Sequence, residues 1–343
     1  MITRRRFLQL TSSGLLAAPF APLIGCDPDE QRPLQGEARP TAPLSSPDTE
    51  PGAPLPRHFY IALLADTHII DEFHSGGTGS LDRDTLFLTS ERLDQARDMI
   101  HGLPWPVERV FVAGDIVHNL PWSEYDSYFE HRNRFDIVAE HFASFAMPVH
   151  PAFGNHDYSL GRLPRALSHD LFREKLGTEA YEAHTIRGWK FINLNNFLGD
   201  TMDSTSPVFN TDIGSFGEEQ LQWLEGELQE GRPTFIFFHY PLWIIAEREV
   251  ADLGLVTLLR RHRDTIRYVG AGHSHIWVNN GNTYGPPHMV VASTRYDPQS
   301  FLIFEIDTHL DTWRILNWEH LHWGTHYTAP WATLAQSGKR SAA

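Results

Sequence analysis

Cysteine is nearly missing from this chain of 343 residues: Cys26 is the only one, so no intrachain disulfide can form. Any fold must then be held by its core and by whatever ions it binds. Membrane-spanning runs are missing as well, since the apolar stretch Leu15 to Ile24 falls short of the roughly 20 residues a spanning helix needs. Positive charge is in deficit, with 28 Lys and Arg against 43 Asp and Glu, a formal net charge of −15. The first 25 residues carry three arginines and no acid, so without them the charge is −18. A body this acidic repels polyanions, which excludes DNA and RNA as expected partners. No internal repeat is present. What the chain does have is apolar material, 41% hydrophobic and 12% aromatic residues, enough for a large core in one extended domain.

The amino terminus has the pattern of an export signal. Thr3-Arg4-Arg5-Arg6-Phe7-Leu8 resembles a twin-arginine motif, and the apolar run leads to Leu23-Ile24-Gly25-Cys26, which resembles a bacterial lipobox. The expected product is a lipoprotein lipidated on Cys26 and exported to the periplasmic or cell-surface side of a bacterial membrane. Residues 1–25 would be the signal peptide. Residues 26–57 are rich in Pro, Gly, Ser and acids with almost no apolar periodicity, so they are expected to be a disordered tether. A domain over 58–325 and a tail over 326–343 complete the division.

From His58 onward, β-rich apolar runs alternate with amphipathic stretches, which predicts βαβ units around a mostly parallel sheet. Strands are expected at Phe59 to Leu64, Val110 to Ala113, Val149 to Phe153, Phe191 to Leu194, Thr234 to Phe238 and Tyr268 to Ala271. Leu93, Ala96 and Ile100 share a helical face, as do Phe135, Val138 and Phe142. Ser215-x-x-Glu218 predicts a capping box ahead of Leu221, Leu224 and Leu228. Three later runs, Met289 to Ala292, Phe301 to Ile306 and Trp313 to Trp318, suggest antiparallel edge strands finishing a second sheet.

Five short blocks fall where these strands give way to loops: Asp66-x-His68, Gly114-Asp115, Gly154-Asn155-His156-Asp157, His239 and Gly272-His273-x-His275. Open α/β sheets place ligand-binding residues at such ends. Residues two apart on extended backbone point the same way, so Asp66 with His68 can grip one ion, and a glycine before Asp115 allows a sharp turn. Any one block is weak, and a single histidine among the chain's 20 is more often an ordinary polar residue. All five in this order, carrying carboxylate, amide and imidazole ligands, resemble the calcineurin-like metallophosphoesterases over roughly residues 58 to 320.

That resemblance implies a four-layer α-β-β-α sandwich with mixed sheets and a single catalytic domain. It implies two divalent ions, one held by Asp66, His68, Asp115 and His275, the other by Asp115, Asn155, His239 and His273, with Asp115 bridging. Oxygen and imidazole ligands without thiolate suit Mn, Fe, Zn or Co. The implied reaction is phosphate-ester hydrolysis by a metal-bridging hydroxide, with His156 protonating the leaving oxygen and Asp157 orienting His156 or closing a turn. Purple acid phosphatases carry a tyrosine where this chain has His118, which is expected to be a plain loop histidine or an outer partner. The layout resembles small-molecule phosphodiesterases. The competing expectations are a monoesterase or nucleotidase, or a metal-containing binding lipoprotein with little turnover. Arg162, Arg165 and Arg295 are expected to be solvated, or else to meet a second charged group of the substrate.

Overall fold

The structure, a computed structural model, describes residues 35–37, 57–75, 85–160, 162–249 and 253–321. The signal motifs, Cys26 and the tail lie outside the described residues. In chain order the first strands are β1 (Gln35–Glu37), β2 (His58–Leu64), β3 (Val107–Val112), β4 (Val149–Pro151), β5 (Glu182–Ile186) and β6 (Trp189–Asn193). They are followed by β7 (Thr234–Phe237), β8 (Ile266–Ala271), β9 (Val278–Asn279), β10 (His288–Val290), β11 (Phe301–Asp307) and β12 (Thr312–Ile315). The helices are α1 (Thr89–His101), α2 (Ser127–Glu130), α3 (Arg134–Ala143), α4 (Asn155–Tyr158), α5 (Arg165–Leu171), α6 (Glu218–Gln229) and α7 (Leu255–Arg261).

Two six-stranded mixed sheets form, in the orders β1-β12-β11-β2-β3-β4 and β5-β6-β7-β8-β10-β9. Alternation along β2 shows how they stack, because neighbouring side chains on a strand face opposite ways. Phe59, Ile61 and Leu63 join Phe191, Phe235, Phe237 and Tyr268 of the other sheet in a layer between the two. Ala62 and Leu64 face outward and pack with Leu93, Ala96 and Ile100 of α1 and Phe135 and Val138 of α3. On the far side, Leu221, Leu224 and Leu228 of α6 and Leu255, Leu258 and Leu259 of α7 cover Ile192, Ile236 and Val269. The result is the expected four-layer α-β-β-α sandwich. No helix among the described residues is long and apolar enough to cross a membrane.

Three details depart from expectation. The late strands do not finish one sheet: β10 runs parallel to β8 in the second, while β11 and β12 join the first, with β11 antiparallel to β2 along its whole length. Ser215 does not cap α6. Its hydroxyl lies 2.5 Å from that of Thr201, and the residue before the helix, Gly217, has φ +77°. The Glu249 carboxylate instead accepts from the backbone N–H groups of Phe216 and Gly217 at 2.6 and 2.8 Å. Within the stretch expected to be a tether, Gln35–Glu37 pair antiparallel with β12.

Candidate metal centre

The five blocks follow the carboxyl ends of β2, β3, β4, β7 and β8, which are parallel within each sheet. Their loops are laced by main-chain hydrogen bonds: Asp66 N–H to Gly114 O (3.0 Å), His68 N–H to Asp115 O (2.9 Å) and Gly272 N–H to His239 O (3.0 Å). The expected extended backbone is absent. Asp66, His68, Asp115, His273 and His275 all have positive φ, between 49° and 71°, so each pair is aimed by left-handed residues with an intervening one rather than by strand geometry. Such backbone costs on the order of 1–3 kcal/mol per residue and persists only where the surroundings dictate it. Two glycines are required for close approach. A Cβ on Gly114, itself at φ +83°, would stand 2.7 Å from His239 Nδ1, and one on Gly154 would stand 2.1 Å from the Asp115 nitrogen.

The structure brings all seven expected ligand residues together in two groups that meet at Asp115. In the first, one donor atom from each of Asp66, His68, Asp115 and His275 lies within 4.8 Å of the others. His275 Nε2 is 3.1 Å from both Asp66 Oδ1 and His68 Nε2. In the second, Asn155 Oδ1 is 3.0 Å from both His239 Nε2 and His273 Nδ1. Asp115 Oδ2 faces both groups, 3.4 Å from His68 Nε2 and 3.2 Å from His239 Nε2. Its other oxygen accepts the His156 N–H at 2.8 Å.

Second contacts set which ring nitrogen faces inward. His239 Nδ1 is 2.9 Å from Ala113 O and so carries the proton, which leaves Nε2 for the centre. His68 Nδ1 is 3.1 Å from His118 Nδ1, so His118 is an outer partner that orients His68 and is no plain loop residue. Asp66, His68, Asp115 and His239 are fully buried or nearly so. Burial works against a charged His239, but the Asp115 carboxylate outweighs it and raises the group to about 9, while Asp115 is itself held well below the usual range. Buried carboxylates that draw a proton onto a neighbouring imidazole mark a place suited to a cation, and this oxygen and nitrogen donor set fits two transition-metal dications.

Asp157 does not orient the His156 ring. Its carboxylate accepts from Gly154 N–H, the cap residue of α4, at 2.7 Å and from Val117 N–H in the loop after β3 at 2.9 Å, tying the two loops together from inside. Burial, then the nearby Asp115 charge, pushes its acidity down and its pKa up to about 8. The partner of His156 is Asn119, whose Oδ1 lies 3.0 Å from His156 Nδ1. The His156 ring also stacks on His118, with centroids 4.6 Å apart. Arg134 carries no signal in the sequence: fully buried, it pairs with Asp71 at 2.6 Å and donates to the carbonyls of His118 and Asn119, fixing that loop. Arg295 is buried rather than solvated, with Nε and Nη2 on Thr85 Oγ1 at 3.1 and 3.0 Å. Arg165 donates to Phe197 O, and Arg162 is exposed.

The profile of the calcineurin-like phosphoesterase family matches residues 59–277. Among solved structures, a dimetal phosphatase from Danio rerio is similar at 19% identity and a TM-score of 0.50, over 72% of this chain and 92% of that one. A calcineurin-like phosphoesterase from Bacillus subtilis is similar at 14% identity and a TM-score of 0.44, over 73% and 84%. A purple acid phosphatase from yellow lupin has 14% identity and a TM-score of 0.45, over 73% and 50%. No curated protein matches the sequence.

Proposed function

Because the chain belongs to the calcineurin-like phosphoesterase family and is a hydrolase of phosphoric esters, we propose that it cleaves small phosphate diesters at a dimetal centre. The ligands are Asp66, His68, Asp115 and His275 for one ion and Asp115, Asn155, His239 and His273 for the other. The observation that carries this reading is the single Asp115 oxygen placed between His68 and His239. A bound pair of dications supplies Lewis acidity and lowers the pKa of water toward neutrality.

The chain's own residues supply the rest. With Asn119 Oδ1 accepting from Nδ1, His156 keeps Nε2 for the substrate, and the protonated ring gives that proton to the leaving oxygen. Burial lowers the His156 pKa and the Asp115 charge raises it; a phosphate anion brought against the ring acts in the same sense as Asp115. Diester preference rests on charge. The Arg134 guanidinium is neutralised by Asp71, and a monoanionic diester asks for less compensation than a dianionic monoester. Export and lipid anchoring through Cys26 belong to the same proposal, supported by the lipobox pattern; loss of palmitate labelling in Cys26→Ser would be expected, and retained labelling would count against it.

The deciding experiment pairs metal analysis with turnover of a chromogenic diester and its matching monoester under Mn, Zn and Co. Faster diester cleavage is expected, and monoester preference overturns the substrate assignment. Asp115→Ala should remove both ions of the centre together with activity; retention of both overturns the shared-ligand role.

A further inference from the structure

β4 and β5 are the outermost strands at one end of each sheet. Phe111 and Phe191 stack between the sheets with centroids 5.4 Å apart. Beside them in register stand His150, opposite Phe111, and His184, opposite Phe191. The two imidazole centroids are 3.8 Å apart, and the His150 ring continues the stack on Phe111 at 5.2 Å. Glu182, two residues before His184 and so on the same face of β5, places Oε1 2.9 Å from His184 Nε2. One donor atom from each of His150, Glu182 and His184 lies within 4.8 Å of the others. An apolar pair would finish the core here; three ligand-bearing side chains stand in its place.

Buried polar atoms are normally paired, yet here several are not. His150 Nε2 and Asn193 Oδ1 are buried with no hydrogen-bond partner among the described residues, and His184 Nε2 is buried with only the Glu182 carboxylate beside it. Asn193 belongs to the same corner, since it faces Glu182 across the strand pair and its Nδ2 donates to His150 O at 3.2 Å. An unprotonated ring nitrogen offers a lone pair, and a cation among His150, Glu182 and His184 would satisfy the imidazoles and the carboxylate together. Two imidazoles and one carboxylate are a zinc donor set that leaves a fourth position for water or an amide oxygen, and imidazole disfavours Mg and Ca.

We propose that His150, Glu182 and His184 form a further site for a divalent transition metal, with zinc the best suited, that clips the edge of one sheet to the edge of the other. None of these residues belongs to the dimetal centre. The clip acts where a disulfide cannot, in a chain with one cysteine, and β4 leads directly into the loop that carries Asn155 and His156.

The test is zinc stoichiometry by elemental mass spectrometry on the full chain, reconstituted with excess zinc and desalted, alongside thermal unfolding and turnover. Wild type should hold about one equivalent more than the dimetal centre takes, about three in all, whereas Glu182→Gln and His184→Gln should hold about two, melt lower and keep turnover within about twofold. Asp115→Ala should keep the clip equivalent alone, which separates this site from the centre. Equal stoichiometry in wild type and both edge variants overturns the proposal. Should the edge variants fail to unfold cooperatively, Asp115→Ala decides: an equivalent retained supports the clip, and none retained overturns it.

Discussion

At the scale of single residues, the centre separates groups that face the reacting atoms from groups that hold them. His156 presents Nε2 while Asn119 and His118 keep its ring in place. His156→Gln is therefore expected to slow turnover by about 10² to 10⁴, the usual range for a lost proton donor, with metal content unchanged; normal turnover in a metal-loaded variant would remove His156 from the role. Asp157 should behave differently. Asp157→Ala strands the buried N–H groups of Val117 and Gly154, at about 1–3 kcal/mol each, so its main effect should appear in chemical denaturation, with Asp157→Asn falling between it and wild type. Unaltered stability in the alanine variant would contradict the loop-closing role. The seven expected ligand positions, which the structure brings together, were legible in the sequence because carboxylate, amide and imidazole types recur in short blocks after strand ends, three of them directly after a glycine. Asn119 and Arg134 were not, since an asparagine in a loop and an arginine at a helix start are commonplace, and what makes them matter is contact with residues 37 and 63 positions away.

At the scale of elements, local periodicity predicted where strands and helices lie, and pairing depended on information it does not carry. Alternation located the run Phe301 to Ile306, but nothing in it says that β11 pairs with β2, about 240 residues earlier, rather than with its neighbour β10. The start of α6 departs from the capping-box pattern for a related reason: Ser215 has the right type and spacing, yet Glu249, distant in sequence, accepts from the N–H groups of Phe216 and Gly217. That substitution has a pH signature. Burial raises Glu249 to about 7 against the pull of the Phe216 and Gly217 N–H groups. A folded pKa above the unfolded one gives stability that is complete below the unfolded value, near 4.5, and is lost as pH rises through about 7. Glu249→Gln, uncharged throughout, should thus gain in melting temperature relative to wild type between pH 5 and pH 8. A difference that stays flat across that range would show that the buried carboxylate does not titrate there.

At the scale of the whole molecule, the sandwich gathers the proposed ligands from both sheets: Asp66, Asp115 and Asn155 follow strands of the first, His239, His273 and His275 strands of the second. Ions held at that junction bind only when the sheets are correctly stacked, so they stabilise the folded state by mass action. With free metal at about a hundred times its dissociation constant, each ion contributes about 2.7 kcal/mol. In a domain of this size each kcal/mol moves the melting temperature by about 2–4 °C. Chelation should then lower it by about 5–10 °C for every ion removed, and re-addition of metal should restore it. Asp115→Ala, which stands between the two donor groups, should lose most of this response in one step, whereas His156→Gln should retain it in full. If chelation leaves the unfolding of wild type unmoved, the junction between the sheets is held by apolar packing alone, and the buried carboxylates and imidazoles gathered there do not act as an ion cage.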